Sequence, residues 1–334
     1  MTITENKLTP QKNDETNEID KADKSSIIVI SSDESTINTF SKCISEEQQS
    51  MNDIFLLDFG DEDFIVPYNP LDVHTNGQTP QKAALEVFDV WKSIWPSSWA
   101  DLTESALKYA LLAIAAHNAS QSPKASADGL SMLGVFLNSS PKRRKQYLTG
   151  ITDECIRTTL ERYFNDDFNS YNNTLREKTI NPILSKAYLF QESPMLEFFS
   201  APHSIFNPAY VIANKKALLI NTRMNEYDPD IFTFFSTLLV NSLLEEIQLQ
   251  HENFQKTDNI HLLIIDENLP LKASAIRALH VCDTILIHPL IGRNPRKTKQ
   301  YKELLKLRPN YAISRKEAIE ASRNNLRLAN PVFI

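Results

Sequence analysis

An acidic pair follows one of the most apolar runs in the chain. Residues 262–265 are Leu-Leu-Ile-Ile, and Asp266 and Glu267 come directly after them. At the end of a buried parallel strand, such an aspartate can bind the Mg²⁺ of a nucleotide, and the adjacent glutamate can polarise the water that attacks a phosphoryl group. Any buried parallel strand can also end in acids, so the pair alone is equally compatible with a structural role.

Hydrolysis of ATP also requires a phosphate-binding loop of the form GxxxxGK[ST], whose backbone N–H groups surround the phosphates. None of the chain's six glycines is followed by lysine; they are Gly60, Gly77, Gly129, Gly134, Gly150 and Gly292. Without such a loop most of the charge of a triphosphate would stay uncompensated. We therefore expect no autonomous ATP hydrolysis and no cofactor, with Mg-ATP bound only if a partner supplies the loop.

Other catalytic patterns are missing from the sequence. The seven histidines form no HExxH motif, no serine lies in GxSxG, and the three cysteines form no CxxC pair. These absences argue against a zinc site, a disulfide framework and a hydrolase nucleophile. Trp91, Trp95 and Trp99 recur every four residues and could stack on bases, although anchors in a core or an interface are the commoner use, and Pro96 predicts a helix break there.

Charge is distributed unevenly along the chain, whose formal net charge is -7. Residues 293–327 contain 11 Lys and Arg against 3 Asp and Glu, a net +8, which leaves -15 for the rest. Such a basic segment can bind nucleic acid or an acidic partner, or it can be a helix with a solvated basic face. The candidate nucleic-acid contacts are Arg293, Arg296, Lys297, Lys299 and Lys302.

No run of about 18 consecutive apolar residues is present, and the N-terminus is polar and acidic. These features predict a cytoplasmic protein without a membrane span.

The elements that would position the acidic pair alternate between strand and helix. Five short apolar runs predict strands, at residues 26–30, 53–59, 216–221, 261–265 and 283–288. Helix-compatible segments separate the runs, which is the pattern of a parallel α/β sheet. A helix over residues 230–250 is so apolar between Ile231 and Leu244 that we expect it to be nearly buried.

Residues 79–206 carry hardly any strand signal and predict an inserted all-α domain. Thr79 followed by Pro80 predicts a helix start, as does Ser140 followed by Pro141. Ser126 is a further predicted start, and Asp101 with Glu104 predicts a capping box. The resulting division is a disordered acidic tail (1–25), an α/β core (26–78 and 207–290), the inserted domain (79–206) and a basic helical extension (291–334).

Several segments together resemble the coupling proteins of conjugation and type IV secretion, the TraG/TraD group of the HerA-FtsK ATPase clan. The similarity runs in order from about Ser26 to His288. It includes residues 64–72 (FIVPYNPLD), the tryptophan-containing residues 87–99, residues 176–190, and residues 216–226 with the apolar helix after them.

This resemblance implies an incomplete RecA-like parallel sheet with an inserted all-α domain that, in the family, faces DNA or secretion substrates. It assigns Asp266 to the Mg²⁺ and nucleotide, and Glu267 to catalysis, either vestigial or dependent on a partner. Two departures matter. The family's phosphate-binding loop would lie upstream of Ile27, where only a polar tail stands, and His288-Pro289 replaces the glutamine that family members place after the next strand.

Three hypotheses follow from these features. In the first, the chain is a non-catalytic or incomplete relative of the coupling proteins that acts in binding or assembly. Its partners would be secretion or conjugation components or a related motor subunit. Alternatively, it is an ATPase fragment completed by a separately encoded P-loop partner. A third hypothesis is a nucleic-acid-binding protein that uses the basic C-terminal helices, with DNA as its partner.

Overall fold

The computed structural model describes ten stretches of the chain. They are residues 26–31, 37–38, 54–58, 67–96, 99–191, 195–214, 216–221, 229–254, 260–264 and 284–287.

Five strands form a wholly parallel sheet in the order β2-β3-β1-β4-β5. Each strand lies within one residue of its predicted bounds at both ends. The strands are β1 (Ser26–Ser31), β2 (Ile54–Asp58), β3 (Ala217–Asn221), β4 (Ile260–Ile264) and β5 (Thr284–Ile287).

Between β2 and β3 the described chain is helical, and one long helix then joins β3 to β4. The predicted α/β class, with a parallel sheet interrupted by helices, is confirmed. The α-helices are α1 (Val73–Asn76), α2 (Pro80–Ile94), α3 (Asp101–Ser120), α4 (Met132–Asn138), α5 (Pro141–Thr149), α6 (Glu154–Arg162), α7 (Asn173–Ala187), α8 (Met195–Phe199), α9 (Pro208–Ala213) and α10 (Pro229–Phe254). A π-helical turn (Tyr163–Asp167) follows α6, and 3-10 turns lie at Phe168–Ser170 and Tyr188–Gln191.

Two predicted helix starts are confirmed, because a hydroxyl caps each first turn and proline occupies the first helical position. Thr79 Oγ1 accepts from Lys82 N at 3.3 Å, and Ser140 Oγ accepts from Arg143 N at 3.4 Å.

The predicted capping role of Asp101 and the predicted helix start at Ser126 are wrong. α3 begins at Asp101 itself, after an Ala100 cap that makes no side-chain bond, so Asp101 lies in the first turn. No helix starts at Ser126. The backbone N–H of Ala127 donates to Pro202 O at 2.9 Å and that of Asp128 to Asn118 Oδ1 at 2.8 Å, and these tertiary bonds hold the segment outside a helix.

One continuous buried cluster spans the sheet and the helices. It extends from Ile28 and Ile30 on β1 to the aromatic side chains of the inserted helices. The prediction that α10 is nearly buried is confirmed, since every described residue from Phe234 to Leu244 is buried. Trp91 and Trp95 also belong to this core, at 1% and 5% exposure, which excludes base stacking by either in this fold.

Among the described helices, none is long and apolar enough to cross a membrane.

Candidate functional site at the carboxyl edge of the sheet

Polar residues end three neighbouring strands at one level of the sheet. Ser31 of β1 is in register with Asn221 of β3, and Asn221 is in register with Asp58 of β2. Ser31 and Asn221 are buried, at 1% and 4% exposure. In open parallel sheets, ligands bind in the crevice outside the carboxyl ends of the strands. This edge is therefore the candidate site.

The predicted acidic pair belongs to the same edge by its position in the chain. β4 lies between β1 and β5, with Ile264 in register with Ile30 on one side and Ile287 on the other. Asp266 and Glu267 follow β4 by two and three residues, so the segment that carries them starts at the carboxyl edge. Both residues lie outside the described part of the chain, so their catalytic and metal-binding roles stay predictions.

The five basic candidates for nucleic-acid contact also lie outside the described residues. They are Arg293, Arg296, Lys297, Lys299 and Lys302. Their role stays a prediction as well.

Acidic residues dominate the segments that begin at this edge. The first six residues after the five strands contain eight Asp and Glu against two Arg. Because every strand is parallel, all five segments start from the same side of the sheet. Negative charge in excess disfavours a triphosphate, which needs cations or free N–H groups around it.

Asp58 and Asn221 were not singled out from the sequence as site residues. Each is the first polar residue after an apolar run, a signal that any strand end can give. Only the strand order shows that they meet in register. Within the described residues, no group of three or more His, Cys, Asp or Glu side chains is placed to hold a metal ion.

A second polar constellation lies where the helical region begins and ends. We call residues 67–72, part of the segment that carries the family resemblance, the junction segment. Asn69 is fully buried, and its Nδ2 donates to Ala201 O at 3.0 Å while its Oδ1 accepts from Leu71 N at 3.0 Å. Its backbone N–H donates to Ser204 Oγ at 3.0 Å. Asn69 thus ties the start of the helical region to its end.

Asp72 and Asn118 extend this network. Asp72 Oδ2 accepts from the backbone N–H of Ser204 at 2.9 Å, and its Oδ1 accepts from Thr75 N at 3.2 Å. Asn118 Nδ2 donates to Leu71 O and to Asp128 O, both at 2.8 Å. Buried polar groups that are paired in this way fix a unique arrangement, so we assign the junction segment a scaffolding role.

No protein-family model and no curated protein sequence matches the chain. In structure the chain is similar to the bacterial conjugative coupling protein TrwBdeltaN70. Its unbound monoclinic form matches with a TM-score of 0.47 and 14% sequence identity, covering 86% of this chain and 60% of that one.

A trigonal form of the same protein, in complex with sulphate, matches with a TM-score of 0.42 and 12% identity, covering 88% of this chain and 70% of that one. The chain therefore spans 60% of the length of the first of these structures. At these identities the similarity concerns the fold alone.

Proposed function

We propose that the chain is a non-catalytic or incomplete relative of the type IV secretion and conjugation coupling ATPases. It acts as a binding or assembly component in the transfer of DNA or protein. Its partners are secretion or conjugation components or a related motor subunit, and it works in the cytoplasm.

The charge of the carboxyl edge carries this proposal. By the sequence resemblance, the acidic pair after β4 corresponds to the magnesium and water-polarising groups of a coupling ATPase. The neighbouring β1 is followed by Ser-Asp-Glu-Ser-Thr, without glycine or lysine. The five edge segments are net acidic, as described above. An excess of acidic residues in the sequence of these segments disfavours a triphosphate, and the 334 residues contain no GxxxxGK[ST] loop to offset it.

Complementation of a strain from which the gene for this chain has been deleted tests the proposal directly. We expect the wild-type chain to restore transfer, and Asp266→Asn and Glu267→Gln to restore it equally, because neither acid takes part in turnover. Restoration by the wild type but by neither variant would contradict a non-catalytic role. Normal transfer in the deletion strain would contradict any role in the process.

DNA is a further candidate partner through the basic extension. Replacement of Arg293, Arg296, Lys297, Lys299 and Lys302 by Gln removes five cations without shortening the chain. If these residues contact phosphates, the affinity of the wild type for duplex DNA falls steeply with salt, and the variant shows a shallower slope on a log–log plot. Equal slopes for the two proteins would exclude these residues as the DNA contact.

A second candidate function is an ATPase completed by a P-loop partner. The register of β4 favours this candidate, because the segment with Asp266 and Glu267 starts at the carboxyl edge. A P-loop partner would have to hold the phosphates of ATP at the same edge. The test mixes the chain with a candidate P-loop protein. ATP hydrolysis that needs both proteins and is lost with Glu267→Gln would support the candidate, and additive rates would exclude it.

A further inference from the structure

One glutamate of α2 is buried among polar partners. Glu86 is 7% exposed. Gln78 Nε2 donates to both of its carboxyl oxygens, at 3.2 and 3.0 Å, and Lys82 Nζ lies 3.6 Å from its Oε1. A carboxylate in such a place is costly unless its charge is compensated.

A second carboxyl group approaches Glu86 from α10. Glu245 Oε2 lies 3.4 Å from the same Lys82 Nζ, so both carboxyl groups face one ammonium group. Two ionised carboxylates offer only acceptors, so this pair can form a hydrogen bond only when one of the two carries a proton. One ammonium group is therefore shared by two acids, and its single positive charge cannot compensate both of them when both are ionised.

The surroundings of Glu86 favour the protonated form. Burial, followed by the hydrogen bond and the charge of Glu245, raises the pKa of Glu86 to about 7, although Lys82 and Gln78 act in the opposite direction. The titratable groups facing Glu86 are Glu245 on α10, Lys82 on α2 and Tyr68 on the junction segment. Burial, followed by the charge of Glu86, raises the pKa of the Tyr68 phenol, so Tyr68 stays neutral and adds no further negative charge.

We propose that Glu86 and Glu245 share one proton and form a latch that holds α2 against α10 and weakens when the proton is lost. The latch connects two regions of the molecule, since α2 is the first long helix of the inserted region and α10 joins β3 to β4. The Tyr68 hydroxyl lies 2.9 Å from Ser242 Oγ, so it links α10 to the junction segment.

The direction of the pH effect follows from the raised pKa. Glu86 binds its proton more tightly in the folded chain than in the unfolded chain, whose ordinary value is 4.5. The contribution of the latch is complete below that ordinary value, and it is lost as the pH rises through about 7. Across this window one linked proton lowers the folding equilibrium constant by up to about tenfold per pH unit.

Tryptophan fluorescence reports on the packing of α2 against α10. The rings of Trp91 and Trp95 lie 5.8 and 5.6 Å from the ring of Phe234 on α10. We would record emission spectra and urea unfolding of the full chain at several values between about pH 5 and about pH 8.

Glu86→Gln is the main variant, because an amide has the size of the protonated carboxyl group and cannot ionise. We expect this variant and the wild type to be about equally stable at the acidic end, with the variant gaining at least about tenfold in folding equilibrium constant by about pH 8. The matched control is Glu104→Gln, which removes the partner of the exposed Lys92 from an ion pair between α2 and α3. It should keep the pH dependence of the wild type.

Glu245→Gln is the second variant. It leaves Glu86 titratable but removes the neighbouring charge, so the loss of stability and the change in emission should both move to lower pH. This variant decides the outcome if Glu86→Gln does not fold. The proposal is overturned if Glu86→Gln keeps the full pH dependence of the wild type, or if Glu245→Gln leaves the midpoint unchanged.

Discussion

Two pairs of acidic residues stand in different settings in this chain. Asp266 and Glu267 are adjacent in sequence and follow β4 at the carboxyl edge of the sheet. Glu86 and Glu245 are 159 positions apart and meet only because α2 packs against α10. The first pair belongs to an edge where the neighbouring segments are also acidic. The second has a lysine and an amide arranged around it.

The difference shows that the surroundings of a carboxyl pair decide its chemistry. At the edge, the sequence has an excess of acids and no phosphate-binding loop, so we expect no nucleotide binding although the pair has the right residue types. Between the helices, burial and a single shared cation favour the retention of a proton, although nothing in the sequence marks either glutamate as unusual. We therefore expect the helical pair to govern stability and the edge pair to have little effect on it.

The largest expected effect comes from removing aromatic packing between α2 and α10, where Trp91 contacts Phe234. Trp91 is 1% exposed, and its ring lies 5.1 Å from that of Trp95 and 5.5 Å from that of Phe190. We expect Trp91→Ala to lower the free energy of unfolding by about 3–5 kcal/mol, because it leaves a large cavity. Urea unfolding measures the change. Leu85→Ala, on an exposed face of the same helix, should cost about 0.5 kcal/mol or less.

A smaller loss is expected in the junction segment. Asn69→Ala leaves the carbonyl of Ala201 and the N–H of Leu71 without their side-chain partners in the interior. The expected cost is about 1–3 kcal/mol, again measured by urea unfolding. The matched control is Asn214→Ala, whose Nδ2 bonds to Tyr210 O on the surface. Equal losses for the two variants would contradict the scaffolding role of Asn69.

Lys82→Met tests the helical pair through the pH at which the chain loses stability. Removing the shared ammonium raises the pKa of Glu86 further, since Lys82 lowers it in the wild type. We expect the pH at which stability is lost to rise by about half a unit to one unit. The measurement is the pH dependence of the urea midpoint. A shift towards lower pH would show that Lys82 does not compensate the pair.

The sheet was the part of the fold that could be predicted most closely from the sequence. Short apolar runs that end in polar residues mark buried strands, and β1 to β5 begin and end within one residue of the predictions. The apolar sequence of α10 likewise predicted its burial. Strand order could not be predicted in the same way, because the periodicity of one strand says nothing about its neighbours.

Long-range contacts explain the failures in the helical region and at the candidate site. Ser126 has the residue type of a helix cap, but the backbone beside it is bonded to Pro202 and Asn118. The register of Asp58 with Asn221 and the contact of Glu86 with Glu245 join distant parts of the chain, and no local pattern encodes either one. The acidic pair after β4 was found because its members are adjacent.

The central claim is that the edge pair does not support catalysis in this chain by itself. The most direct test measures Mg-ATP binding and hydrolysis by the purified full chain, with Glu267→Gln as the control. We predict neither saturable binding nor turnover, and no difference between the two proteins. Magnesium-dependent hydrolysis that is lost in Glu267→Gln would contradict the claim and show that the acidic edge holds a triphosphate without the loop.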